Sequence, residues 1–444
     1  MASSEGTAGA RRNRLPRRAR SVNKGRSSPV SARTRRGLRA LMATCLGVAL
    51  TITPVAAGPA AADTVPAPAD DPFYKPPTPL PDGRPGDIIR SRASVFTLQP
   101  IRKTPRADVK SWQVLYRSQS ATGEDIAVSG TVLVPTKPWT GTGGRPLLSY
   151  AVGTRGIGDS CAPSYTLSQG TDYEGLIISA ALDKGWAVAV TDMQGLGTPG
   201  MHTYEVGRAQ GKAVLDIARA AQRLPGTGLN EQTPVGVWGY SQGGTSAGWA
   251  AELAASYAPE LNLKGVVAGG VPADLIAVAE NLEGSATVAL AFLAAVGYDA
   301  AYPELKLESY LNDAGRKLLA SSQDICLASV DGITTVIGTA FSKFTDYATV
   351  NPLTTETWRR RLNENKLGST RPSAPVLQVH GRIDAIIPFA QAETLRKNWC
   401  ALGADLTWKV YPLAGHAPGI VRQVPDALSF LSDRFAGLPA QSNC

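Results

Sequence analysis

The chain has 444 residues, 43% of them apolar and 18% charged, a balance that suits a large folded core and excludes wholesale disorder. The net charge of +9 would suggest a nucleic-acid partner, but residues 1–62 hold twelve Lys/Arg and one acid, Glu5, a net of +11, so residues 63–444 carry −2. The basicity belongs to one end of the chain, which excludes a nucleic-acid-binding surface on the body.

That basic end has the three parts of an export signal. Arg33, Arg35, Arg36 and Arg39 form a basic run, an apolar stretch follows over about residues 40–57, and Ala60-Ala61-Ala62 supplies small residues for cleavage. Residues 1–62 are therefore expected to direct secretion, with the cut before Asp63 or, as the alternative, after Ala57. The signal is of the Sec type, or of the twin-Arg type if Arg35-Arg36 is read that way. A permanent membrane anchor is disfavoured, because the apolar run is short and holds Thr51, Thr53 and Pro54.

Residues 63–89 are rich in Pro and small residues and read as an extended lead-in over the surface. Residues 93–98, 112–117 and 126–134 carry the β-branched and aromatic enrichment of strands and predict an antiparallel start to a sheet. The middle then alternates. Apolar runs at 146–152, 186–191, 235–240, 264–269, 376–380 and 406–411 read as short buried strands, and helical patterns at 173–184, 207–224 and 242–257 lie between the earlier of them. Buried strands alternating with helices predict an α/β fold with a mostly parallel central sheet covered on both faces. Between about residues 274 and 351 the alternation stops, and 275–282, 287–296 and 310–321 read as helices. A helical insertion after a sheet strand is expected to cap the carboxyl edge of the sheet, where ligands bind in open α/β sheets. The catalytic domain is then residues 90–444, with the cap at 274–351 inserted in it.

Five cysteines are present, and Cys45 would leave with the export signal. The four that remain in an exported chain predict two disulfides. Three pairings are possible; the favoured one is Cys161–Cys326 with Cys400–Cys444, the second closing the C-terminal tail onto the body. A zinc site is not expected, since no Cys-x-x-Cys or His-rich cluster occurs.

Gly239-Tyr240-Ser241-Gln242-Gly243 fits Gly-x-Ser-x-Gly, a weak pattern made strong by its setting. An apolar strand precedes it and a small-residue helix follows, the strand–turn–helix that exposes a nucleophilic serine. A serine hydroxyl needs a base, and only His202, His380 and His416 exist. Chains with this turn run in the order nucleophile, acid, histidine. His202 precedes Ser241 and reads as a loop residue near the pocket. His380 ends a strand, with no room for an acid before it. His416, in a loop after the last strand, is the expected base. The acid that orients it is expected at Asp384, just past the penultimate strand, ahead of Glu393 and Asp405. An oxyanion hole needs two backbone N–H groups; these are expected from Gln242 and, in the loop after the strand at 146–152, from Thr154.

These segments together resemble the secretory lipase family, the lipase A-type α/β-hydrolases. The resemblance is carried by Asp71-Pro72-Phe73-Tyr74, Tyr150-Ala151-Val152-Gly153-Thr154, Cys161-Ala162-Pro163-Ser164, Gly239-Tyr240-Ser241-Gln242-Gly243-Gly244, Gly381-Arg382-Ile383-Asp384 and Gly415-His416. It covers about residues 70–440. It implies an α/β-hydrolase fold with an inserted helical cap, a triad at Ser241, Asp384 and His416, triacylglycerol lipase activity, and the same disulfide pairing. One departure stands out: Gly153-Thr154-Arg155-Gly156 occupies the region where well-studied members carry an acidic oxyanion residue, which leaves a backbone N–H to serve there.

The expected function is secreted carboxylic-ester hydrolysis of a lipid or other ester, without metal or organic cofactor. The chain is expected to be a monomer whose cap touches a lipid interface transiently. A secreted peptidase using the same three residues is the competing enzyme reading, and a non-catalytic binding protein on this fold is the remote one.

Overall fold

The computed structural model describes residues 65–99, 101 and 103–444. The export signal expected at 1–62, with Cys45, lies outside the described residues. The first three strands, β1 (Ile88–Ser94), β2 (Val109–Gln119) and β3 (Asp125–Pro135), form an antiparallel meander. Next come β4 (Leu147–Ala151), α1 (Pro163–Gln169), α2 (Gly175–Asp183), β5 (Ala187–Thr191), α3 (Gly207–Arg223), β6 (Val235–Tyr240), α4 (Gln242–Tyr257) and β7 (Leu263–Gly269). Five helices follow: α5 (Leu275–Leu282), α6 (Ala289–Ala301), α7 (Asp313–Ser322), α8 (Val330–Thr339) and α9 (Glu356–Glu364). The chain ends with β8 (Val376–Gly381), α10 (Phe389–Ala401), β9 (Leu406–Tyr411), α11 (His416–Arg422) and α12 (Val424–Phe435).

The nine strands form one sheet in the order β1-β2-β3-β5-β4-β6-β7-β8-β9. It is antiparallel as far as β3–β5 and parallel from there to β9. This is the α/β-hydrolase architecture expected from the sequence. Every residue of β4, β5 and β6 is buried, the reason these strands read as continuous apolar runs rather than as alternating ones. Helices α3, α4 and α10 pack on one face through Leu215, Ala251 and Trp399; α2 and α12 pack on the other through Ile178 and Leu431.

Two expectations need correction. The strand expected at 93–98 is β1 at Ile88–Ser94. Beyond it the chain leaves the sheet, and Phe96 is buried because it packs into the core beside Leu167. Its apolar neighbours mark a loop seated on the core. The lead-in is likewise no surface strap. Phe73 and Tyr74 are buried against Leu115, and the Tyr74 hydroxyl lies 2.8 Å from Ser164 Oγ and accepts from Gln113 at 2.9 Å. Proline content signalled the extended backbone but not the two aromatic rings that anchor it.

The helical insertion between β7 and β8 continues beyond residue 351 to α9, whose Trp358 and Leu362 join Leu293, Tyr298 and Leu307 in one apolar cluster. Three of its helices begin at side-chain caps readable in the sequence: Asp274 accepts from Ile276 and Ala277, Asn312 from Gly315, and Ser329 from Gly332. The cap is bound to the body by the disulfide Cys161–Cys326, 165 residues apart in sequence, and by the Ile157 N–H donating to Ile325 O at 3.0 Å. Closing a loop of that length removes unfolded-state entropy worth on the order of 5 kcal/mol in the chain-entropy account. A second disulfide, Cys400–Cys444, ties the tail beside β9, where the Asn443 N–H donates to Leu406 O.

Replacing Tyr74 by Ala removes a fully buried ring and two hydrogen bonds, so it should lower stability by about 3–5 kcal/mol. A urea midpoint that stays within error of the parent would contradict the anchoring role of this segment.

Candidate active site

The site is built where β6 turns into α4. Ser241 sits between them at φ 58° and ψ −122°, a backbone region that L-residues rarely occupy. The strain holds its side chain clear of both elements. Its N–H donates to Gly269 O of the neighbouring β7 at 3.0 Å. The turn closes only with glycines around it: a Cβ at Gly239 would lie 2.1 Å from Gly243 O, and one at Gly243 would lie 2.1 Å from Ala151 O. The small residues of the motif are therefore a steric requirement of packing α4 against β6 and β4.

His416 opens α11, after β9, and Asp384 lies in the loop after β8. The loops bring them onto Ser241. His416 Nε2 lies 2.8 Å from Ser241 Oγ, and His416 Nδ1 lies 2.7 Å from Asp384 Oδ2. With Nδ1–H donating to the carboxylate, Nε2 presents its lone pair to the Ser241 hydroxyl. The other carboxylate oxygen, Asp384 Oδ1, accepts the N–H groups of Ile386 and Ile387 at 2.9 and 2.8 Å. Asp384 thus closes a tight turn ahead of α10, which begins at Phe389. Burial would raise its pKa, but the hydrogen bond and charge of His416, the Ile387 N–H and the nearby His380 outweigh burial and hold the carboxyl below its ordinary value. It is anionic at neutral pH and suited to stabilising an imidazolium. The Tyr240 hydroxyl donates to His416 O at 2.8 Å and pins the base from behind.

The remaining histidines take other places. His380 is the penultimate residue of β8, with Nε2 3.0 Å from Ile387 O, and burial lowers its pKa. His202 is fully buried, its pKa pushed down by burial to about 4. Its Nδ1–H donates to Gln194 O at 2.8 Å, leaving Nε2 to accept from Gln242 Nε2–H at 3.1 Å. His202 therefore clamps the residue that follows the nucleophile. Glu393 lies within α10 and pairs with Lys397, and Asp405 precedes β9. Neither is brought to His416.

The loop after β4 comes up against the same turn, where a Cβ on Gly153 would lie 3.4 Å from Tyr240 O. The Gly153 N–H is already used, donating to the Glu174 carboxylate at 3.1 Å. Among the described residues, the N–H groups of Thr154 and Gln242 have no protein acceptor. Thr154 is fixed from both sides: its hydroxyl is 2.9 Å from Tyr204 Oη, and its carbonyl accepts from Tyr173 Oη at 3.0 Å.

Behind this loop lies a charge cluster that sequence reasoning missed. Buried Arg155 donates to both oxygens of Asp172 at 2.8 and 2.9 Å, to Glu174 at 3.0 Å and to Gly153 O at 3.1 Å, and it stacks 3.9 Å over the Tyr173 ring. Burial pushes the Glu174 carboxyl up against the pull of Arg155. Removing one member of such a cluster strands a buried charge, at a cost of about 3–5 kcal/mol. The signal in the sequence was the run Asp172-Tyr173-Glu174, read only as the start of a helix.

Ser241 opens into a cavity beneath the cap, lined mostly by carbon from α5, α6, α9 and the loop before α10, including Leu275, Val278, Leu290, Leu362 and Ile387. An apolar space beside the Ser241, His416 and Asp384 side chains suits an apolar ligand.

The family model for secretory lipases matches residues 162–443. The chain is 31% identical to Lipase 5 of Candida albicans, over 85% of this chain and 83% of that protein. It is 34% identical to a Mycobacterium tuberculosis protein named "Probable inactive lipase", over 84% of this chain and 83% of that protein. Among solved structures it matches Candida antarctica lipase A in its closed state, with a TM-score of 0.77 and 27% identity over 86% of this chain and 89% of that one. The fold, the carrying motifs and these matches together place the chain in the secretory lipase family, as a hydrolase of the lipase and esterase kind.

Proposed function

We propose that this chain is a secreted serine carboxylic-ester hydrolase that acts on lipid esters, triacylglycerols above all, through an acyl-enzyme on Ser241. The observation that carries the reading is the continuous relay from Ser241 Oγ through His416 to Asp384, opening into an apolar cavity. His416 Nε2 takes the Ser241 proton as Oγ attacks the acyl carbon. Asp384 holds the ring and stabilises its charged form, and His416 then hands the proton to the leaving alcohol. Water, activated by the same nitrogen, attacks the acyl-enzyme and releases the acid. The N–H groups of Gln242 and Thr154 hold the oxyanion, each within reach of charge that forms only in the transition state.

The cap suits contact with a lipid surface. Val330, Ile333 and Ile337 stand exposed at three- and four-residue spacing along α8, with Phe341 exposed just beyond, so one outward face of the helix is apolar. Secretion through the signal at residues 1–62 and action as a monomer complete the reading.

Ser241→Ala should lower kcat by about 10⁵-fold or more while the unfolding midpoint stays near the parent's. Asp384→Asn should lower it by about 10⁴-fold, because the His416 ring loses its orienting acceptor. Residual activity near wild type in a folded Ser241→Ala protein would overturn the assignment. A double variant, Val330→Ser with Ile337→Ser, should hydrolyse emulsified triglyceride roughly tenfold more slowly, with a soluble short-chain ester little affected. Equal losses on both substrates would contradict the surface role of α8.

A further inference from the structure

Among the described residues that line the cavity with Ser241, Glu205 supplies the one carboxyl group. It belongs to no part of the relay. Three independent features make it unusual. It is 4% exposed, with no Lys or Arg paired to it among the described residues. Its backbone is left-handed, at φ 60°, a conformation that is costly for a long side chain. Its carboxyl accepts one hydrogen bond, from Thr245 Oγ1 to Oε2 at 2.8 Å, and Oε1 has no hydrogen-bond partner among the described residues. A leucine here would match the apolar lining and a glycine would relieve the backbone. A strained residue with one carboxyl oxygen left free of protein partners, standing on the wall of a reaction cavity, points to a task there.

We propose that Glu205 is a specificity-determining residue that hydrogen-bonds a hydroxyl group carried on the acyl chain, so that the cavity favours hydroxyacyl esters over plain alkanoyl esters of the same length. This rests on the ester-hydrolase reading of Ser241. The neighbours fit the role. Thr245 lies on α4, one turn past the nucleophile, and fixes one carboxyl oxygen. Tyr298 of α6 lines the same cavity, and its buried hydroxyl has no hydrogen-bond partner among the described residues; Tyr204 precedes Glu205 and is occupied by Thr154. These two tyrosines are the titratable groups whose ionisation the Glu205 charge opposes. Burial pushes the Glu205 carboxyl up to about 7, so both protonation states are populated near neutrality. A ligand hydroxyl serves either state, accepting from the acid or donating to the carboxylate. A methylene chain serves neither and offers Oε1 no hydrogen bond.

The test compares p-nitrophenyl decanoate with decanoates bearing a hydroxyl at carbon 3, 6 or 9, on wild type, Glu205→Leu and Glu205→Gln. At one position at least, wild type should favour the hydroxylated ester by roughly tenfold or more in kcat/KM. Glu205→Leu should abolish or reverse that preference and speed the plain ester. Glu205→Gln, which keeps a donor and an acceptor in nearly the same shape, should retain part of it and stands in if the leucine variant fails to fold. A hydroxyl-to-plain ratio that is the same in wild type and in the folded variants at every position overturns the role of Glu205 alone. Hydrolysis of no ester by wild type overturns the reading of Ser241, and this proposal with it.

Discussion

Ser241 is held at a positive φ by a turn in which three backbone segments touch: the end of β6, the first turn of α4 and the end of β4. That close approach is the constraint on which the rest of the site depends. It fixes where Ser241 Oγ stands, and thereby where His416, the β4 loop and the cavity mouth must be. It also explains why the motif tolerates no larger residue at Gly239 or Gly243. The strain of one residue in this region costs on the order of 1–3 kcal/mol, and the fully buried strands on either side supply the packing that maintains it.

A second layer keeps the surrounding groups from relaxing. The Arg155, Asp172 and Glu174 cluster grips Gly153 through both its N–H and its carbonyl, so the neighbouring Thr154 N–H is aimed by a rigid frame. His202 and Tyr240 do the same for Gln242 and His416. Preorganisation of this kind matters because donors that need not reorient during the reaction stabilise developing charge most effectively. Buried charges carry a desolvation cost that often cancels their attraction, so the benefit of the Arg155 cluster lies in geometry more than in stability.

Much of this was legible in the sequence because its cause is local. The glycines around Ser241 declare the tight turn, the unbroken apolar runs declare strands covered on both faces, and the helical patterns at 275–282, 287–296 and 310–321 declare part of the cap. The order of serine, acid and histidine selected one base from three candidates. What escaped depends on tertiary context. Phe96 looked like strand because burial, not pairing, governs its surroundings. Phe73 and Tyr74 find their partners in Leu115, Gln113 and Ser164, distant in sequence. Arg155 seemed to be only a departure from the family pattern, and its carboxylate partners could be recognised only once the β4 loop and the start of α2 were brought together. Glu205 gave no local signal, since neither its backbone angle nor its place on the cavity wall is written in a spacing.

The central claim is that Ser241 is the activated nucleophile of a competent hydrolase, in a family that includes a relative named as inactive. Its most direct test is intact-mass and peptide-mapping analysis after treating the folded protein with a fluorophosphonate. One phosphonyl adduct, mapped to the peptide containing Ser241 and abolished by prior unfolding, is the expected result. A folded protein that takes up no label, or takes it up at another residue, would contradict the account.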